Sequence, residues 1–331
     1  MDLSLHDNTS QDEVIRGTND DATVSRLSAV NLGYFKDPFV QFFVKRPIRR
    51  SPIINRGSYI RNYALDNLVR QFLNLDTPKK KQIISLGAGF DTRYFLMKSG
   101  QWGDCSQLSK YFEVDFPEVV VKKAMTIKRR AQLYELIQNV RIEKGGIELA
   151  SDDYFLLGGD LREWSEIVQR LVHYGFDSTA PTLVISECVL IYLEPEHSNM
   201  ILNWMTQELT DCMFVLYEQI RPTDSFGKVM IRNLQSRRIE LKGIHAYPEL
   251  EDQETRFIRL GWDGAKAVDT NTIHDQYLDR SDISRMARLE ILDELEEWHL
   301  LAGHYCVAWA YKSITAKDKF ASIQLDRVQE T

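Results

Sequence analysis

The sequence predicts a doubly wound α/β fold around a mostly parallel sheet of seven strands. From residue 81 onward, short apolar runs alternate with longer amphipathic segments. A glycine turn follows the first apolar run, and acidic residues end the next ones. This alternation is typical of parallel strands joined by right-handed helical crossovers. We therefore expect a single α/β domain over residues 21–315.

Composition excludes several other classes of protein. The chain has 331 residues, of which 44% are hydrophobic and 27% are charged, as in ordinary globular proteins. Its formal net charge of −7 argues against nucleic-acid binding. No apolar run reaches the length of a membrane span. Residues 1–20 are polar and acidic, unlike a secretory signal, and we expect them to form a disordered tail.

The four cysteines show no spacing typical of a zinc site or a disulfide framework. They are Cys105, Cys188, Cys212 and Cys306. No histidine pattern completes a metal-binding set, so we expect no metal. A chain of this kind fits a reducing compartment, and we expect it in the cytoplasm, as a monomer.

The elements follow in order. Residues 21–78 form a mostly helical N-terminal cover, interrupted at Pro38, Pro47 and Pro52, with an amphipathic helix over 56–72. Five parallel strands are expected at 82–86, 111–114, 154–157, 182–186 and 213–217. The helices between them are expected at 92–98, 120–137, 162–173 and 195–209.

The last part of the core differs from this rhythm. Strands at 265–268 and 305–311 are expected to close the sheet as an antiparallel pair, with a helix over 281–298 between them. The basic segment at about 224–247 lies outside the alternation, and we expect an inserted lid there. Residues 316–331 are expected to form a C-terminal tail.

The glycine turn at residues 86–92 (LGAGFDT) is the strongest local feature. Ligands of open α/β sheets bind at the carboxyl ends of the strands, and glycines allow close approach to the backbone. A pyrophosphate site would need a third glycine where Thr92 stands, and Asp91 places negative charge at the helix start. The turn therefore favours a nucleoside ligand without phosphate, such as S-adenosylmethionine. The alternative is a tight turn with no ligand.

The ends of the next two strands carry candidate ligands for such a nucleoside. Glu113 and Asp115 lie on the same side of their strand, and Asp115, at its end, is placed to bind the ribose diol. Asp160 is placed to accept the adenine amine, and Leu161 to offer its backbone amide and pack on the ring. The alternatives are a solvated carboxylate for Asp115 and a helix N-cap for Asp160.

The fourth strand end faces the methionine part of such a cofactor. Glu187 is placed to bind the α-ammonium group, and Tyr192 to lie near the sulfonium. Arg61, before the core, is suited to clamp the cofactor carboxylate. The alternatives are that Tyr192 only packs in the core and that Arg61 lies on the surface of a helix. The sequence contains no H-E-x-x-H, G-x-S-x-G or P-loop motif.

Over most of its length the chain resembles the leucine carboxyl methyltransferase family. The segments that carry the resemblance are residues 52–57 (PIINRG), 86–92 (LGAGFDT), 110–117 (KYFEVDFP), 159–162 (GDLR), 186–192 (SECVLIY), 217–219 (YEQ), 224–227 (DSFG) and 292–296 (LDELE). The resemblance implies a class I S-adenosylmethionine-dependent methyltransferase with a Rossmann-like core. By the same resemblance, the expected cofactor-binding residues are Lys36, Arg61, Gly87, Asp115, Asp160, Leu161 and Glu187.

The family methylates the C-terminal leucine carboxylate of the protein phosphatase 2A catalytic subunit, which would be the partner. A related branch acts on transfer RNA in wybutosine synthesis and carries a long C-terminal propeller. Because this chain ends soon after its last predicted strand, we expect the phosphatase branch. Another acceptor, such as a small-molecule carboxylate, and a non-catalytic scaffold are the remaining alternatives.

A carboxylate acceptor needs no general base, because an α-carboxyl group titrates near ~3.5. We expect catalysis to depend on alignment with the S–CH₃ bond and on removal of water. Tyr192 and Arg61 are the candidate catalytic residues, as organisers of that alignment.

Overall fold

A computed structural model describes residues 3–326 of the protein, and the side chains of residues 11–326. Within that range, nine strands form one sheet. They are β1 (Lys81–Leu86), β2 (Leu108–Asp115), β3 (Arg141–Glu143), β4 (Glu148–Ala150), β5 (Tyr154–Gly158), β6 (Thr182–Glu187), β7 (Asp211–Gln219), β8 (Gly264–Asp269) and β9 (Tyr305–Ser313).

The strand order β3-β4-β5-β2-β1-β6-β7-β9-β8 confirms the predicted fold class. The five central strands are parallel, and Leu86 at the end of β1 pairs with Val114 on one side and Ser186 on the other. The chain order reverses between β1 and β6, which is where open α/β sheets bind ligands. As expected, β9 joins β7 antiparallel and β8 joins β9 antiparallel.

The helices pack on both faces of this sheet. Their bounds are α1 (Leu3–Asn31), α2 (Pro52–Asn74), α3 (Arg93–Lys98), α4 (Pro117–Arg129), α5 (Ala131–Tyr134), α6 (Trp164–His173), α7 (Pro195–Glu208), α8 (Ser225–Ser236), α9 (Leu250–Arg259), α10 (Thr270–Thr272), α11 (Arg280–Leu289), α12 (Leu295–Gly303) and α13 (Lys317–Ala321). Among the helices of residues 3–326, none is long and apolar enough to cross a membrane.

Alternation along the strands divides the core into two apolar layers. Ile83 and Val215 belong to the layer under α2 and α3, whereas Ile84 and Phe214 belong to the layer under α6, α7 and α9. All four side chains are fully or almost fully buried. Because both faces are covered, the central strands are continuous apolar runs, and this is why they were recognisable in the sequence.

The prediction of a disordered tail over residues 1–20 is wrong for its described part, because α1 begins at Leu3. Long-range contacts hold this helix on the core. Asp12 pairs with Arg162 at 2.6 Å, and Arg16 pairs with Glu118 at 3.1 Å. Local composition does not encode such long-range partners, so in the sequence a polar, acidic helix of this kind resembles a tail. Residues 1 and 2 lie outside the described range.

A two-strand antiparallel hairpin, β3 and β4, extends the sheet beyond the seven predicted strands. It pairs with β5 at the sheet edge through β4. Each of its strands has three residues, too few for a periodic pattern to identify.

Two expected helices are each divided in the structure. The helix expected up to residue 137 separates into α4 and α5 at Arg130, whose backbone is extended. The helix expected over 281–298 separates into α11 and α12 after Glu290. The buried Glu290 carboxylate accepts hydrogen bonds from Tyr34, Arg49 and Asn55. These bonds accompany an extended backbone at Glu290, where α11 ends.

The expected C-terminal tail is structured in its described part. α13 lies within it, and Phe320 packs edge-on against Phe72 of α2. Trp309 Nε1 donates a hydrogen bond to the Ile323 carbonyl oxygen. Residues 327–331 lie outside the described range.

Candidate active site

A cavity of about 450 Å³ lies at the carboxyl ends of the central strands. Its floor comes from the ends of β1, β2, β5, β6 and β7, and α1, α2 and α12 enclose it from above. The volume lies in the usual range for small-molecule sites. The cavity is lined by all but one of the sequence-predicted site residues, namely Arg61, Gly87, Asp115, Asp160, Leu161, Glu187 and Tyr192.

The turn after β1 needs glycine at two positions, because of its backbone conformation and its close neighbours. Gly87 and Gly89 have φ of 54° and 51°, which L side chains rarely adopt. A Cβ on Gly87 would lie 2.4 Å from Cγ2 of Val189, and one on Gly89 would lie 2.2 Å from Oδ1 of Asn19. The glycines therefore allow the turn after β6 and helix α1 to close on the cavity.

Asp115 is fixed at the end of β2 by two backbone amides. Its Oδ2 accepts from the N–H of Gly89 and its Oδ1 from the N–H of Phe116, both at 2.7 Å. Burial raises the pKa of Asp115 to about 6, although these hydrogen bonds oppose the shift. Each oxygen keeps a free lone pair, so the carboxylate can accept from two neighbouring hydroxyl groups.

Asp160 caps a short turn and also lines the cavity. Its Oδ1 accepts from the Arg162 N–H at 2.9 Å, which caps the short 3₁₀ turn Leu161–Glu163. The Arg162 side chain then joins Asp160 to Asp12 of α1. Asp160 and Leu161 also line the cavity, as the predicted adenine-binding role requires.

At the carboxyl end of β6, charged side chains line the cavity, and we call this part its ionic end. Glu187 accepts from Arg61 Nε at 2.6 Å through Oε2, and it pairs with Arg93 through Oε1. Burial favours the neutral acid, but the Arg93 and Arg61 guanidinium groups hold the pKa of Glu187 below its usual value. Glu187 therefore stays ionised at neutral pH, as binding an ammonium group requires.

Arg93 was not recognised in the sequence. Only 1% of its side chain is exposed, and it also pairs with Asp66 and Asp91, each at 2.7 Å. One buried guanidinium thus orients three carboxylates around this end of the cavity. One feature of the sequence points to Arg93: it is the first residue of the helix that directly follows the glycine turn.

An aromatic and apolar lobe adjoins the ionic end. The Arg61 guanidinium lies 4.7 Å from the centroid of the Tyr217 ring, which stacks on Tyr305 with a centroid distance of 5.3 Å. Trp298 and Leu301 of α12 continue this wall. This lobe has no local signature in the sequence, because α2, β7 and the segment of α12 and β9 lie far apart in the chain.

Lys36 is the predicted site residue that the structure does not bring to the cavity. It is exposed and is not part of the lining. Its neighbour Asp37 is buried and accepts from Arg26 Nε at 2.8 Å and Thr92 Oγ1 at 2.6 Å. Asp37 is therefore held inside the fold, whereas the Lys36 side chain lies in solvent.

The expected lid at 224–247 is separated from the cavity by α1. Its apolar residues, including Ile239 and Ile244, pack with Val14 of α1 and with Ile191. Arg237 pairs with Asp21 of α1 at 2.6 Å. Since no residue of 224–247 lines the cavity, the element that covers the site directly is α1.

Fold and site together define an S-adenosylmethionine-dependent methyltransferase of class I. A nucleoside-sized cavity lies at the switch point of the sheet, with a carboxylate at the end of β2 and an ionic pocket at the end of β6. The family model for leucine carboxyl methyltransferase matches residues 14–206. The chain belongs to the leucine carboxyl methyltransferase family.

Relatives agree with this assignment. The chain is 44% identical over 310 residues to the leucine carboxyl methyltransferase 1 homolog of Arabidopsis thaliana, covering 92% of this chain and 91% of that protein. It is 36% identical over 308 residues to leucine carboxyl methyltransferase 1 of Bos taurus, with coverage of 92% and 91%.

A second group of relatives is longer than this chain. The human tRNA wybutosine-synthesizing protein 4 is 37% identical over 309 residues, which is 91% of this chain but 44% of that protein. A solved structure of a putative methyltransferase from Thermobifida fusca shares the fold at a TM-score of 0.50 and 11% identity, covering 78% of this chain and 83% of that one.

Proposed function

We propose that the protein transfers the methyl group of S-adenosylmethionine to the α-carboxylate of the C-terminal leucine of the protein phosphatase 2A catalytic subunit. The product is a leucine methyl ester. One observation carries the proposal: the ionic end, which fits the methionine part of the cofactor, adjoins an apolar aromatic lobe in a single cavity. A terminal leucine fits this arrangement, because its branched side chain suits the apolar lobe and its carboxylate would then lie beside the cofactor.

The residues present fit the cofactor. Asp115 offers two acceptor lone pairs for the ribose hydroxyls, and Asp160 with Leu161 borders the neighbouring part of the cavity. Glu187 is an ionised carboxylate for the α-ammonium group, and Arg61 a guanidinium for the cofactor carboxylate. When bound, S-adenosylmethionine supplies an electrophilic methyl group on sulfur.

The chain's own contribution is positioning and exclusion of water. The acceptor carboxylate is already ionised at neutral pH, with a pKa near ~3.5, so no general base is required. Arg61 and Tyr192 orient the reacting groups, while α1 and the Trp298 wall keep water from them. Alignment of this kind supplies roughly 7–11 kcal/mol in favourable cases.

The test is transfer of a radiolabelled methyl group to intact phosphatase, followed by treatment with mild base. Labelling that base releases as methanol identifies an ester. The matched acceptor is the same phosphatase without its terminal leucine, which we expect to remain unlabelled. Equal labelling of the two acceptors would end the proposal.

The same assay, run with transfer RNA, tests the second candidate acceptor. The wybutosine-synthesizing relatives motivate this arm. A chain with net charge −7 fits a protein acceptor better than a polyanion. Absence of transfer to any acceptor, despite cofactor binding, would favour the non-catalytic scaffold. We further propose that the protein acts as a cytoplasmic monomer, which fractionation and light scattering test.

A further inference from the structure

Glu218 is a buried carboxylate beside the cavity that methyl transfer does not use directly. It lies in β7 between Tyr217 and Gln219, which both line the cavity. Because side chains alternate along a strand, Glu218 faces the opposite side of the sheet. Only 2% of it is exposed. A buried charge in such a place needs hydrogen-bond partners.

Those partners are backbone amides of the turn that follows β6. Glu218 Oε1 accepts from the N–H of Ile191 at 2.7 Å, and the N–H groups of Val189 and Leu190 also interact with the carboxylate. These amides begin the short 3₁₀ helix Leu190–Tyr192. Burial raises the pKa of Glu218 to about 7, whereas Arg256 and these amides favour the ionised form. The ionised carboxylate accepts from the amides and so stabilises the turn in this conformation.

The turn needs such support because its backbone is strained. Cys188 has a φ of 56°, in the left-handed region that disfavours a residue with a Cβ. Backbone of this kind persists where its surroundings hold it, and it is concentrated at functional sites. The N–H of Cys188 also donates to the Tyr217 carbonyl oxygen at 2.7 Å, so β7 holds both ends of the turn.

The turn carries several groups to the cavity. Cys188, Val189 and Tyr192 all line it, and Val189 packs directly on Gly87. Displacement of the turn would therefore move Tyr192 and open the contact with the glycine turn. Arg256 is the cation that faces Glu218, and it also donates to Ser198 Oγ at 2.6 Å. Cys188 and Cys306 are the other ionisable neighbours, and burial raises the pKa of both thiols.

We propose that Glu218 is a positioning residue, which holds the turn of residues 188–192 so that Tyr192 is aligned for methyl transfer. The inference rests on the proposed function, since it takes the end of β6 as the reacting end of the cavity. Glu218 would act through the backbone amides of this turn, without contacting either substrate.

The test is a double-mutant cycle between Glu218→Gln and Tyr192→Ala. Glu218→Gln keeps the side-chain size and, at a pH above the Glu218 pKa of about 7, removes the charge. We expect kcat to fall about tenfold or more there, while cofactor Kd changes less than about threefold. In the Tyr192→Ala background, the same change should lower kcat less than about threefold, because the group it positions is gone. A full, additive loss in both backgrounds, or an unchanged kcat, overturns the proposal.

Glu113→Gln is the matched control. Glu113 is also a buried carboxylate in a central strand, but it pairs with Lys123 and does not contact the turn. Any loss it causes should be the same in both backgrounds. If Glu218→Gln does not fold, Glu218→Asp keeps the charge with a shorter reach and enters the same cycle.

Hydrogen exchange provides a readout that is independent of the acceptor. We expect the amides of residues 189–191 to lose protection in Glu218→Gln, with strand amides of β1 unchanged. Equal protection in wild type and variant counts against the inference. If wild type binds cofactor but methylates no phosphatase, the proposed function fails, and the exchange result still decides the role of Glu218.

Discussion

Replacing Asp115 by alanine should remove most of the affinity for S-adenosylmethionine. Both carboxylate oxygens are oriented by backbone amides at 2.7 Å, which leaves one lone pair on each for a ribose hydroxyl. A hydrogen bond to a charged group contributes about 1.5–3 kcal/mol. Two such bonds amount to about 3–6 kcal/mol, so we expect Kd to rise roughly 10²- to 10⁴-fold.

Isothermal titration calorimetry with the cofactor measures this change, and thermal unfolding checks the fold. We expect the melting temperature to stay within about 5 °C, because the variant also removes the cost of burying the charge. Asp104→Ala is the matched control, since Asp104 lies on the exposed loop before the opposite end of the same strand. A folded Asp115→Ala protein that binds the cofactor within about threefold of wild type would refute the reasoning.

Three further predictions follow from the charges around the cavity. Because the pKa of Asp115 is about 6 and the ionised form accepts the ribose hydroxyls, cofactor affinity should fall as pH drops through about 6, towards tenfold per unit. Glu187, with its lowered pKa, stays ionised there, and a flat calorimetric profile from about pH 8 to about pH 5 would contradict this assignment. Arg93→Gln leaves three carboxylates without their shared cation, and urea unfolding should show a loss of about 3–5 kcal/mol; unchanged stability would mean that the ion pairs contribute nothing net. Arg61→Lys keeps the charge but cannot both pair with Glu187 and stack on the neighbouring ring, so kcat/KM should fall about 10- to 100-fold in the methyl-transfer assay, and an unaffected variant would exclude Arg61 as an organiser.

The parallel core was predictable because its signal is local. Strands covered on both faces are continuous apolar runs, and β1, β2, β5, β6 and β7 all appeared in the sequence close to their observed bounds. The strand-end residues Asp115, Asp160 and Glu187 followed from one rule, that the carboxyl ends of parallel strands converge on one edge. The short hairpin of β3 and β4 has no such signal and was missed.

The covering elements show where local reasoning ends. Helix α1 was expected to be a disordered tail because its composition is polar, yet Asp12, Arg16 and Asn19 find partners on three separate core segments. The contacts that decide the position of α1 therefore join residues far apart in the chain. The resemblance implies Lys36 as a cofactor contact, whereas in the structure Lys36 is exposed and lies outside the cavity lining.

The sequence by itself determined the alternating core, the glycine turn and the acidic strand ends, since each depends on neighbours within a few residues. Only the tertiary structure decided which groups surround the reacting end of the cavity. Arg93 forms ion pairs with Asp66 and Glu187, and the Arg61 guanidinium lies over the Tyr217 ring. The partners in these contacts lie on helices and strands that are far apart in the chain. Side-chain charge and aromatic stacking act over a few ångströms in space, and the spacing of residues along the chain does not encode that distance.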